Sequence, residues 1–157
     1  MSKIVCGLLY KNEGSLQRAV VPLQKQFGDI HSESAPYPFT FTHYYEKEMG
    51  TGLQRKFIIF NKETHDDELA SIKIFTDLIE DGLRKEGRRT VNIDPGILTK
   101  QSLTLASNKE RPFKQKLQEG IYGHAVYMFS QNGVEIFPHT FPDFKQKHLM
   151  EWFFSSR

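Results

Sequence analysis

An α+β sandwich is the fold class that the sequence predicts, and three observations predict it. Apolar runs at 3–10 and 53–60 have the length and composition of buried strands. Two segments, opening near Ser15 and near Asp66, repeat apolar residues at helical spacing. The resulting order is strand, helix, strand, strand, helix, strand, which packs two helices on one face of an antiparallel sheet.

Each element has a local reason. The strand over 3–10 ends in the turn cluster Lys11-Asn12-Glu13-Gly14. Ser15 is the expected cap of the first helix. Leu16, Ala19, Val20, Leu23 and Phe27 share one face of it, and Gly28 stops it. Residues 29–35 give a short strand. Pro36 and Pro38 then impose an extended path, because proline cannot donate to a central ladder. The stretch from Thr40 to Gly52 reads as a loop, and Leu53 to Phe60 as a strand.

Thr64 or Asp66 caps the next helix. Its stripe is Leu69, Ile72, Thr76, Ile79 and Leu83, and it ends near Gly87. Arg89 to Ile93 alternates as a half-buried strand. Residues 1–96 thus form a ferredoxin-like split βαβ sandwich. Residues 97–157 add a short strand at 103–106 and strands at 114–119 and 121–130. Gln131-Asn132-Gly133 makes a hairpin turn into 134–137, and a helix follows over 145–154. Nothing reads as a repeat or linker, so 1–157 is expected to be a single domain, its sandwich completed by a C-terminal β-hairpin and terminal helix.

Composition limits the function classes. The chain of 157 residues is 38% hydrophobic and 25% charged, enough for a soluble domain with a real core. No apolar run approaches the roughly 18 residues of a membrane span. The N-terminus enters a strand pattern at once, so no signal peptide is expected. The single cysteine, Cys6, sits in an apolar run and reads as a buried structural thiol. That fits a reducing compartment, and the cytoplasm is expected. A net charge of +2 is too small to indicate nucleic acid.

Candidate site residues cluster in loops and at strand ends. The segments are Tyr44-Tyr45-x-x-Glu48-Met49-Gly50, Asn92-x-Asp94-Pro95-Gly96, Asn108-Lys109-x-Arg111 and His139 to Phe144, with Lys73 beside the stripe of the second helix. Mixtures of aromatic, acidic and glycine residues suit ligand-binding loops better than core elements. Glu48 and Asp94 are the candidate catalytic pair, as general acid and base or as hard oxygen ligands. Their structural alternatives are a salt bridge for Glu48 and an Asx-type turn before Pro95 for Asp94. Lys73, Lys109 and Arg111 are candidates to hold anionic groups, against snorkelling or plain surface charge. Tyr44 and Tyr45 are candidates to stack on a ligand ring, against anchoring a loop on the core. Asn92 and Asp143 complete the ligand-binding set.

No metal is assigned. The six histidines form no zinc-protease pair, and His124, His139 and Asp143 are the nearest thing to a ligand set. P-loop, Gly-x-Ser-x-Gly, Cys-x-x-Cys and Gly-x-Gly-x-x-Gly signatures are absent, so cofactor and reaction stay open. The expected partner is an anionic small molecule or nucleotide-like ligand in a loop-lined pocket. The alternative is a non-catalytic adaptor or assembly subunit, self-associating through the sheet face or the C-terminal helix. Leu149, Met150, Trp152, Phe153 and Phe154 exceed one stripe of a surface helix. RNA binding ranks last, since the aromatic RNP-type strand is missing.

These blocks resemble a bacterial family of small proteins, the domain-of-unknown-function 4416 family (DUF4416). The resemblance is carried by Cys6-Gly7-Leu8-Leu9-Tyr10, the Phe39 to Gly50 loop, Lys73 with Thr76, Val91 to Gly96, Leu105-Ala106 with Lys109, Gly120-Ile121-Tyr122 and Thr140 to Phe144. It runs over nearly the whole chain and implies no established chemistry. GTP binding is attributed to some members, but this sequence has neither a P-loop nor Asn-Lys-x-Asp. The chain departs from the family pattern in three places. Pro112-Phe113-Lys114 stands for Ser-His-Arg, His124 for an acidic residue, and His139-Thr140-Phe141 opens a block that begins Trp-Thr-Tyr.

Overall fold

The computed structural model describes residues 2–118 and 120–157. The elements in order are β1 (Ser2–Tyr10), α1 (Glu13–Phe27), β2 (Ile30–Glu33), β3 (Tyr37–Pro38), α2 (Glu46–Met49), β4 (Gln54–Thr64), α3 (Leu69–Gly82), β5 (Val91–Leu98), β6 (Ser102–Ser107), β7 (Gln115–Lys116), β8 (Tyr122–Ser130), β9 (Gly133–Ile136) and α4 (Lys147–Ser156). All nine strands join one antiparallel sheet in the order β2-β4-β1-β5-β6-β8-β7. β3 lies alongside β4, and β9 alongside β8. The protein is therefore a mixed α/β fold, with a sheet far larger than a four-stranded sandwich.

The two faces of the sheet carry separate cores. On β1, Ile4, Cys6, Leu8 and Tyr10 face one way, where Leu16, Ala19, Val20, Leu23 and Phe27 of α1 and Ile72 and Ile79 of α3 pack on them. The opposite face carries Val5, Phe57, Ile59, Leu103 and Tyr127 under Phe144, Leu149 and Phe153. The period of two along β1 thus places alternate residues in different cores. The second core is covered by the C-terminal segment. There Tyr127 donates a hydrogen bond to the Phe144 carbonyl, and Met150, Trp152 and Phe154 pack at its margin. The apolar surplus of the tail goes into this packing.

Several boundaries differ from the sequence expectation. Asn12, not Ser15, caps α1: its backbone is extended, and its Oδ1 accepts from Ser15 N at 2.9 Å. The second helix opens with a 3-10 turn at Asp66–Glu68 and stops at Gly82, well short of Gly87. The loop before β4 holds the short helix α2, too brief to show a period. Of the strand expected at 114–119, the described residues form only Gln115–Lys116, and residue 119 lies outside them. The terminal helix starts at Lys147, after a 3-10 turn at Pro142–Lys145.

Asp94-Pro95-Gly96 is not a turn. It runs through the middle of β5, where Asp94 pairs with Gly7 and Pro95 with Cys6. The neighbour on the other side, β6, pairs with β5 only over Gly96, Ile97 and Leu98. Proline is tolerated where the ladder on one side has not yet begun. Gly96 is needed where it does begin, because a Cβ there would lie 2.7 Å from the Thr104 carbonyl oxygen.

Candidate functional site

The parting of β5 from β6 positions the site. Below Gly96 the two strands are no longer paired, and a cavity of about 960 Å³ lies against Asn92 and Asp94 of β5 and Leu105, Ala106 and Ser107 of β6. It is lined from both layers: by Lys73 of α3, by Arg55 of β4, by Tyr44 and Tyr45, by Lys109, Arg111, Phe113 and Lys114, and by His139, Phe141 and Asp143. Of the residues singled out in the sequence, Tyr44, Tyr45, Lys73, Asn92, Asp94, Lys109, Arg111 and Asp143 line this one cavity.

Glu48 does not line it. Its carboxylate accepts from the Arg89 backbone N at 3.0 Å and from Arg89 Nε and Nη2, with Nη2 at 2.9 Å. These bonds from Arg89 hold the Glu48 carboxyl below the usual range, against the upward push of burial. Glu48 is thus committed to a clasp that orients Arg89, the structural alternative named above.

Arg89 opens a polar chain along the inner wall. Its Nη1 donates to Asn92 Oδ1 at 2.8 Å, and Asn92 Nδ2 donates to Asp94 Oδ2 at 3.1 Å. Arg55 Nη1 donates to the same Oδ2 at 2.7 Å. Arg55 Nε lies 3.8 Å from Asp143 Oδ2, which accepts from the Tyr37 hydroxyl at 2.8 Å. Burial pushes the Asp94 carboxyl up, but the charges of Arg55 and Lys73 outweigh it and hold the group below its ordinary value. Asp143 is more deeply buried, and desolvation keeps its carboxyl above the usual range.

Arg55 reaches Asp94 across an intervening strand. β1 lies between β4 and β5, and the residue of β1 facing Asp94 is Gly7. A Cβ on Gly7 would stand 2.6 Å from Phe57 Cε1 and 3.2 Å from Arg55 Nη1. The missing side chain is the lane through which the guanidinium passes. Phe39 covers the guanidinium with its ring centroid 5.0 Å away.

The cations of the cavity divide into two groups. Arg55 and Arg89 are paired as described, and Lys73 Nζ lies 3.1 Å from Asp77. Lys109, Arg111 and Lys114 have no carboxylate within ion-pair distance among the described residues. Lys114 Nζ is held by Ser107 Oγ and the Lys109 carbonyl at 2.9 and 3.0 Å. Burial first, then repulsion from Arg111 and Lys109, draws its ammonium below the usual range.

Aromatic rings frame the same space. Tyr44 is 65% exposed, stands edge-on to Tyr45, and carries Lys109 Nζ 4.7 Å from its ring centroid. Phe41, Phe113 and Phe141 are also exposed. Phe113 stacks on His139 at 4.2 Å and Phe141 on His124 at 4.6 Å. Each histidine donates its Nε2 proton to a backbone carbonyl, His139 to Ala125 and His124 to His139. Burial then lowers the His124 imidazole to about 4, so it is neutral at pH 7. No cluster of three metal-ligating side chains occurs among the described residues. Phe113, His124 and His139 are in mutual contact at the cavity wall.

Sequence reasoning missed Arg55, Arg89, Lys114 and Phe113 as lining residues, and named His124 only as part of a metal-ligand set that was not assigned. Arg55 had a visible signal: it shares a strand face with Phe57 and Ile59, an inward position where a charge requires partners. A second cavity of about 730 Å³ lies beside the start of α3, against Asp66, Thr99 and Gln115, and holds none of the predicted site residues.

The sequence model of a domain of unknown function, DUF4416, matches residues 1–157, and the chain belongs to this family. No curated protein and no solved structure matches it.

Proposed function

We propose that this member of the DUF4416 family binds an anionic, nucleotide-like small molecule in the cavity between β5 and β6. One observation carries the reading. Interior cations of the wall are neutralised by carboxylates, while Lys109, Arg111 and Lys114 crowd one loop at the cavity with no carboxylate within ion-pair distance among the described residues. Three like charges repel unless something anionic joins them, and arginine offers a fork suited to phosphate or carboxylate. Exposed Tyr44, Phe41 and Phe141 provide faces for a planar ring.

The test is a thermal-shift screen against nucleotides, phosphorylated metabolites and inorganic phosphate, repeated on the double variant Lys109→Ala with Arg111→Ala. A ligand at a hundred times its Kd adds about 2.7 kcal/mol of stability. For a chain of this size that is a rise in Tm of about 5–10 °C. The rise should vanish in the double variant, whose own Tm stays near wild type. An unchanged rise in that variant would remove the loop from the site.

The adaptor reading has a different support. α1 and α3 expose Val21, Ile74 and Leu78, whereas the sheet face and the tail are occupied by each other. Light scattering tests it: a monomer at high concentration ends the self-association version. Among the described residues no helix is long and apolar enough to cross a membrane, and the buried Cys6 suits the cytoplasm, where we place the protein. We further assign β1, α1, β2, β4, α3 and β5 to a ferredoxin-like unit. The strand order β2-β4-β1-β5 supports that assignment.

A further inference from the structure

Asp94 lines the cavity with a carboxylate oxygen that no described residue uses. Its Oδ2 takes both the Arg55 and the Asn92 hydrogen bonds. Oδ1 has no partner among the described residues, and the side chain, 27% exposed, lines the cavity. The carboxyl is held ionised by Arg55 and Lys73 against burial, so Oδ1 can only accept.

The donor it selects is neutral. Arg55 and Lys73 already bring positive charge to Asp94, and an incoming ammonium or metal ion would meet their repulsion. A neutral donor within reach of both an anion-binding loop and exposed aromatic faces is a hydroxyl on the sugar that joins a ring to a phosphate. We infer that Asp94 is the specificity-determining acceptor for a sugar hydroxyl, and that the ligand class is a ribose-bearing phosphate rather than a bare anion. This rests on the anion-binding reading above. Asn92 and Arg55 act here as positioning residues, since their bonds fix Oδ2 and leave Oδ1 for a ligand.

The experiment is isothermal titration of the full chain with adenosine 5′-monophosphate and with its 2′,3′-dideoxy analogue. A hydrogen bond to a charged acceptor predicts a preference for the hydroxylated compound of about tenfold or more. In Asp94→Asn, checked for native circular dichroism, the preference should fall to about threefold or less, because the acceptor is no longer charged. A second comparison needs no variant: ribose 5-phosphate should bind wild type more tightly than inorganic phosphate. Equal binding of the two nucleotides to wild type overturns the inference while leaving the anion site standing. A preference that survives in folded Asp94→Asn also overturns it. Failure of all four compounds to bind overturns both this inference and the pocket reading.

Discussion

Arg55 holds the half-buried Asp94 and the buried Asp143 apart and together at once. Asp94 lies 2.7 Å from one of its nitrogens and Asp143 3.8 Å from another. Arg55→Met should therefore destabilise the fold by about 3–5 kcal/mol, since it leaves uncompensated charge behind. Urea denaturation checks this, and Arg55→Lys should recover only part of the loss, because an ammonium cannot span both partners. Gly7→Ala should cost about 1–3 kcal/mol by overpacking against Phe57. Two groups give opposed pH responses. Burial raises Glu80 to about 7, so the fold holds its proton after the unfolded chain has lost it. Stability from Glu80 falls as pH rises from about 4.5 to 7, on the order of 3 kcal/mol. His124, lowered to about 4 by burial, loses stability as pH falls from about 6.5 to 4, by a similar order. The two slopes partly cancel in the wild type. Glu80→Gln should expose the histidine slope and His124→Phe the glutamate slope, read by Tm against pH. At this scale the sequence displayed the loop residues Tyr44, Lys109 and Arg111. It hid Glu80, whose helical position gave no sign that its carboxylate accepts the Ile93 N–H at 2.6 Å.

Long periodic elements were legible and short ones were not. β1 and α1 lie where apolar pattern placed them, because burial of one face dictates that pattern, while β4 starts as expected and runs four residues past Phe60 to Thr64, paired with β1. The hairpin between β8 and β9 is likewise where the sequence placed it, though its turn is Gln131-Asn132 and Gly133 opens β9 opposite Ser130. The four-residue α2, the two-residue β7 and the passage of β5 through Pro95-Gly96 depend on contacts distant in sequence. The last misreading mattered most: local turn chemistry favoured a loop at Asp94, and pairing with β1 won. The terminal helix shows how differently two elements use their residues. Phe153 of α4 is fully buried beneath the second core, and Phe153→Ala should cost about 3–5 kcal/mol in chemical denaturation. Lys109→Ala in the exposed loop should stay within about 0.5 kcal/mol, with its effect on binding only.

At the scale of the molecule, the second core joins the two halves of the chain. Val5, Phe57 and Ile59 come from the first half, and Leu103, Tyr127 and Phe153 from the second. Unfolding should accordingly be a single transition, with far-ultraviolet circular dichroism and Trp152 fluorescence superimposing in urea. A fragment ending at residue 96 should not fold, since one face of its sheet would lose its cover. Noncoincident curves would separate the halves into independent units. The candidate site was legible as a set of residues but not as a place. Its location depends on where β6 leaves β5, and that parting leaves no local trace in sequence.

The margins of the sheet have a consequence of their own. The outer side of β4 is met by two pieces, β2 of four residues and β3 of two, with prolines at 36 and 38 around the second. The outer side of β8 is likewise met by the two residues of β7 and the four of β9. A nine-stranded sheet thus ends on both sides in interrupted fragments, never in a long straight row of unsatisfied amides. Such rows are what recruit a strand from a neighbouring molecule and seed fibrils. Broken borders let so wide a sheet remain finite in a crowded solution.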